Sequence, residues 1–123
     1  MRQIDEQRIE YLFPNEADRE ALQHTYLSQF EDLMQFLKAR NIRVLIIKPP
    51  IPMRVYRMLP DQEQFDKTIK EISDRRGAEF YDFSLVGNDE KFFFNTDHLN
   101  RAGVLNFFDN YLKDKLSSMS QNK

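Results

Sequence analysis

The sequence predicts an α/β fold in which a parallel two-stranded sheet is flanked by three main helices. Three observations carry that prediction. Apolar residues recur at helical spacing in three separate stretches, two short β-branched or aromatic runs stand between them, and the resulting order is helix, strand, helix, strand, loop, helix. Strands that alternate with helices pair in parallel through right-handed crossovers. Two strands make a thin sheet, so the chain reads as half of a doubly wound arrangement. Its 123 residues suit a single domain.

Residues 1–14 carry weak signals, with Tyr11-Leu12-Phe13-Pro14 as an apolar lead-in. Asn15-Glu16-Ala17-Asp18 then reads as a helix cap followed by acidic first-turn residues. Leu22, Tyr26, Phe30, Leu33, Met34 and Leu37 share one face and predict a helix from Ala17 to Arg40. Asn41 tolerates the left-handed conformation that ends such a helix. Ile42-Arg43-Val44-Leu45-Ile46-Ile47 is nearly continuous in apolar, β-branched character, as expected of a strand covered on both faces. Lys48-Pro49-Pro50-Ile51-Pro52 ends it, because proline has no N–H for the ladder. Met53 to Pro60 is a loop or short irregular helix. Asp61 is the expected cap of a second amphipathic helix with Phe65, Ile69 and Ile72 turned inward and Gly77 just past its end. Ala78 to Phe83 is the second strand. A polar connection, Ser84 to Lys91, leads to the last helix, on which Val104, Leu105, Phe108, Tyr111, Leu112 and Leu116 recur at helical spacing. Residues 117–123 read as a frayed polar tail.

Composition excludes several functions. The net charge is −2, so no polyanion is attracted and nucleic acid is not an expected partner. No cysteine is present, which removes disulfides, thiolate metal sites and a cysteine nucleophile. The two histidines and scattered carboxylates have no metal-ligand spacing, and no cofactor motif occurs. With only three glycines there is no glycine-rich phosphate loop. The N-terminus lacks the apolar core of a signal peptide, and no run approaches a membrane span. As written, the chain is expected to be soluble, and its compartment is left open.

The chemistry-bearing stretch is Phe92-Phe93-Phe94-Asn95-Thr96-Asp97-His98-Leu99-Asn100-Arg101-Ala102-Gly103. Asn100 is a good N-cap, so His98 is expected on a loop just before a helix start, where backbone N–H groups favour negative charge. His24 lies within a helical pattern and reads as structural. Phe92 to Phe94 read as core packed on the last helix. Arg54, Arg57, Arg75 and Arg76 read as solvated faces or helix C-terminal charges; Arg54 and Arg57 also follow the proline-rich strand end, where ligands bind in open α/β sheets, so contact with an anionic substrate is their alternative reading.

The pairing of Val44-Leu45-Ile46-Ile47-Lys48-Pro49-Pro50 with Asp97-His98-Leu99-Asn100-Arg101-Ala102-Gly103 resembles the C-terminal half of SGNH/GDSL-type hydrolases. It is most similar to relatives in cell-envelope and exopolysaccharide O-acylation, including the D-alanine transfer proteins. The resemblance spans residues 17–116 in element order and is specific at the final block and at the strand with its proline pair. It implies a flavodoxin-like fold, here partial, with residues 1–123 as the C-terminal portion of an SGNH-like domain. It implies that His98 is the catalytic base and that Asn95 stands where the family usually has aspartate. Asparagine brings no charge to an imidazolium and can hold the wrong tautomer. Asp97 is the candidate substitute, although an adjacent residue is expected to point away. Pro49, Pro50, Arg54 and Asn100 are the implied substrate-binding positions. His98 is expected to be partly exposed and close to Asn95.

The family's Gly-Asp-Ser nucleophile block and Gly-x-Asn-Asp block do not occur in this sequence, and Ser84 and Gly87-Asn88-Asp89 lie too late in the chain to replace them. Two readings follow. The first is an enzyme portion for ester hydrolysis or O-acyl transfer on an acyl-ester or polysaccharide substrate, inactive alone, with its nucleophile on a missing segment or another chain. The second is a non-catalytic, degenerate SGNH-like module that self-associates. Either way, a two-stranded sheet leaves apolar surface open, so a homo-oligomer or association with a missing segment is expected. Cell-envelope association is implied by the resemblance alone.

Overall fold

The computed structural model describes residues 2–13 and 15–121. The architecture is α/β, with a two-stranded parallel sheet and helices before, between and after its strands, the arrangement of a partial flavodoxin-like fold. The described residues form two compact units. One comprises residues 1–47 and 59–81, the other residues 48–58 and 82–123.

The first unit opens with α1 (Arg2–Leu12) and α2 (Glu16–Ala39). Helix α1 corrects the expectation of weak order before Asn15. No glycine or proline interrupts residues 2–13, Arg2 and Glu6 pair one turn apart at 3.1 Å, and Asp5 is buried. Met34 of α2 is 4% exposed and forms part of the core. Asn41 takes the left-handed conformation expected of it, with φ 58°. Ile42 N–H donates back to Leu37 O at 3.0 Å, so Ile42 still closes the helix and strand β1 begins three residues later, at Leu45–Lys48. Leu45, Ile46 and Ile47 are half-buried, where coverage on both faces was expected.

Helix α4 (Gln62–Arg76) packs against α2. Its Ile69 and Ile72 are buried, but Phe65 is exposed. Asp61 does not cap it with its side chain. The residue is left-handed at φ 54°, its backbone carbonyl accepts from Phe65 N–H, and its carboxylate lies 3.8 Å from Arg19. Gly77 ends α4 at φ 71°, the conformation that favours glycine. Strand β2 (Glu79–Asp82) follows. Glu31 of α2 ties α4 in place through Arg75 and Arg76.

The second unit begins where the strands end. Phe83 N–H donates to Lys48 O, 35 positions earlier, as Glu79 N–H does to Val44 O in the first unit. That constant offset is the parallel register. The chain was expected to leave the sheet at the prolines, yet Ile51 N–H still donates to Ser84 O at 3.0 Å. A short helix α3 (Met53–Tyr56) follows Pro52 and buries Val55. A 3-10 turn, Glu90–Phe92, precedes helix α5 (Arg101–Phe107), a widened π-helical turn (Phe108–Leu112) and α6 (Lys113–Gln121). Residues 117–121 thus continue a helix where a tail was expected, and residues 122–123 lie outside the described residues. The core here is aromatic. Phe83 meets Phe107 edge to face at 5.3 Å, and the Tyr111 ring lies 6.2 and 6.3 Å from them.

Candidate active site around His98

All seven residues singled out in the sequence lie in the second unit. The loop that carries His98 is a narrow hairpin folded back on itself. Phe93 and Leu99 form an antiparallel bridge, Phe94 N–H donates to His98 O at 2.8 Å, and Asn100 N–H donates to Phe92 O at 2.9 Å. The run of three phenylalanines is therefore one arm of the hairpin and not a block of core. Phe94 is 79% exposed, next to the tip, while Phe92 and Phe93 are half-buried.

Asn95 forms the tip. Its Oδ1 accepts from Asp97 N–H at 3.1 Å and from His98 N–H at 3.0 Å. This is the turn that asparagine side chains make with their own following backbone. The two backbone donors fix which amide atom faces inward, and that same Oδ1 lies 3.0 Å from His98 Nδ1. The short Asn95–His98 distance that the resemblance implied is present. Asp97 does not point away from its neighbour. Its Oδ1 lies 3.2 Å from His98 Nδ1, because the turn folds residues 95–98 around the ring. The imidazole thus has two oxygen acceptors on one nitrogen, one of them a carboxylate. The His98 side chain is 66% exposed, and Nε2 has no partner among the described residues.

Asn100 braces this arrangement. Its Oδ1 accepts from Gly103 N–H at 2.9 Å, capping α5 as expected, while its Nδ2 donates to Lys91 O at 2.8 Å. With both ends of its amide engaged, Asn100 positions the hairpin. Gly103 was not among the candidate residues, yet the hairpin depends on it, since a Cβ there would stand 2.1 Å from Phe92 O. The signal in the sequence was a glycine three residues after a cap, inside the first helical turn, where a larger residue would ordinarily stand.

The other candidates are placed as follows. Pro50 is buried and Pro49 exposed. Arg54 is ion-paired with Glu90, at the start of the 3-10 turn, so an anion reaching Arg54 must compete with a carboxylate. The end of β2 carries a second turn of the asparagine type. Asp82 Oδ1 accepts from Ser84 N–H at 2.9 Å and from Ser84 Oγ–H at 2.6 Å, and Ser84 is fully buried. Among the described residues no group of three or more His, Cys, Asp or Glu side chains is placed to hold a metal ion. Nor is any described helix long and apolar enough to cross a membrane.

No curated protein and no solved structure matches the chain. A family model described as DltD protein matches residues 6–116, from within α1 to within α6, and includes the whole His98 hairpin. The chain belongs to the DltD protein family.

Proposed function

We propose that His98 is the general base of a serine-dependent reaction, ester hydrolysis or O-acyl transfer on a cell-envelope or polysaccharide substrate. The 123 residues are then the C-terminal portion of an SGNH-like domain. The supporting observation is the setting of the His98 ring. Asn95 Oδ1 and Asp97 Oδ1 both lie within hydrogen-bond distance of Nδ1, and in the neutral ring that donates to them from Nδ1, Nε2 carries the lone pair of a base. A base so held takes the proton of a serine hydroxyl as that oxygen attacks an ester carbonyl. The acyl group passes to the serine, and the proton returns to the departing alkoxide. The Asp97 carboxylate brings to the ring the negative charge that Asn95 lacks. Membership of the DltD family supports the substrate direction, D-alanyl transfer in the cell envelope. The serine and the oxyanion donors come from outside these residues, from a further segment of the same protein or from another chain.

The test compares the 123-residue chain with the same chain joined to an in-frame upstream segment that contains Gly-Asp-Ser. On short acyl esters the chain alone gives no turnover sensitive to serine reagents. The longer protein does, and His98→Ala lowers that turnover by several orders of magnitude. Full turnover in the longer His98→Ala protein overturns the assignment, as does serine-reagent-sensitive turnover by the short chain.

One observation favours the second reading, a non-catalytic module that self-associates. In the first unit Tyr26, Leu33 and Phe36 of α2 are exposed by 63%, 48% and 51%. Such a run of large apolar side chains on one helix marks an interaction surface more often than idle solvent contact.

A further inference from the structure

We propose that the cleft where α2 and α4 end binds a small phosphate monoester, its phosphate held by the cations that line the cleft and its ester group by the apolar wall. The proposal is independent of the role given to His98.

The cleft lies wholly within the first unit and has a volume of about 260 Å³. Small-molecule pockets run from about 300 to 1,000 Å³, so its ligand is small. It is formed by the end of α2, the residues that lead into β1, and the end of α4 with the two residues that lead into β2. Lys38, Arg43 and Arg76 line it, and no carboxylate does. Met34, Ile42 and Val44 supply the apolar wall. Met34 is buried, while Lys38, Ile42 and Arg43 are exposed, so the cleft opens to solvent on its cationic side.

The fold does not use up this positive charge. Glu31 pairs with Arg76 at 3.1 Å, but the same carboxylate is shared with Arg75, so one negative charge faces two guanidiniums. That pairing holds the Arg76 side chain in place. Its Nε is buried and has no hydrogen-bond partner among the described residues, a donor that calls for an acceptor. Lys38 Nζ makes no hydrogen bond or ion pair among the described residues. The ends of two helices oppose an anion, each with about half a negative charge. Here both ends are capped. Leu37 O accepts from Arg40 and Ile42 N–H, Lys38 O from Asn41 N–H, and Ser73 O from Gly77 and Ala78 N–H. Three full positive charges outweigh two capped half-charges. Several cations in one cleft favour a dianion over a carboxylate, which a single guanidinium matches. The apolar wall favours an ester over free phosphate.

The test follows backbone amide signals of the isotope-labelled chain by NMR at pH 8, where a phosphate monoester, with its second pKa at about 6, is a dianion. n-Butyl phosphate, inorganic phosphate and acetate are titrated separately at constant ionic strength. The amides of Ile42, Arg43, Gly77 and Ala78 report on the cleft. They are expected to shift saturably with n-butyl phosphate, with weaker affinity for inorganic phosphate and no saturation with acetate. Lys38→Met removes one exposed charge and should weaken n-butyl phosphate binding about fivefold. Arg43→Gln should weaken it as well, and far-UV circular dichroism checks that both exposed substitutions leave the fold intact. Equal affinity for n-butyl phosphate and inorganic phosphate overturns the proposal, because the apolar wall then contributes nothing. Shifts that fail to saturate, saturation by acetate, unchanged affinity in Lys38→Met, or shifts confined to residues 92–103 overturn it too. None of these outcomes bears on His98 as a base, which is read from turnover.

Discussion

A methyl group at position 103 would stand 2.1 Å from the Phe92 carbonyl oxygen and 2.9 Å from Leu99 Cδ2. The first turn of α5 therefore rests on the backbone of the hairpin, and only glycine permits that approach. Gly103→Ala is expected to destabilise by about 1–3 kcal/mol, because the neighbour on one side is rigid backbone. A thermal melt measures it, and an unchanged melting temperature would show that the hairpin gives way easily. Asn95 acts through one oxygen that takes two backbone N–H groups and faces the His98 ring. Asn95→Asp keeps that acceptor and should preserve the turn. Asn95→Leu removes it, at a cost of about 1 kcal/mol, and should speed hydrogen exchange at the Asp97 and His98 amides. Equal exchange in the two variants would refute the turn.

At the scale of elements, α5 and α4 are secured by different devices. Asn100 caps α5 by the side-chain mechanism its type suggests. Asp61 precedes α4 without that bond and uses left-handed backbone instead. Helix α4 is held by the burial of Ile69 and Ile72 and by the Glu31 pairs with Arg75 and Arg76. Those two terms differ in size. Ile72, 4% exposed, should cost about 2–5 kcal/mol as Ile72→Ala. Glu31→Gln should cost about 1 kcal/mol or less, since Glu31 and Arg75 are both in contact with water. Denaturant unfolding of the two variants checks the order, and a larger loss for Glu31→Gln would reverse it. The π-helical turn at Phe108–Leu112 had no mark in the sequence, because helical spacing alone cannot distinguish a widened turn from a regular one.

For the molecule as a whole, the proposed chemistry and the stability lie on different residues. His98 is well exposed, and the cores are built from Met34, Ile69 and Ile72 in one unit and from Val55, Phe83 and Phe107 in the other. His98→Ala should leave unfolding free energy within about 0.5 kcal/mol of the parent chain, and a loss above 2 kcal/mol would mean that the ring is structural. The sequence by itself determined the element order, the α/β class, the left-handed ends at Asn41 and Gly77 and the Asn100 cap. All of these follow from periodicity or from contacts within a few residues. Only the tertiary structure decided the rest. It set Asp97 against the His98 ring, made Gly103 indispensable, turned Phe94 outward, committed Arg54 to Glu90 and left Tyr26, Leu33 and Phe36 uncovered. The physical reason is range. A cap or a turn is settled by backbone groups one to four residues away. Which oxygen meets a ring, or which face of a helix stays open, depends on segments that approach only once the chain has folded.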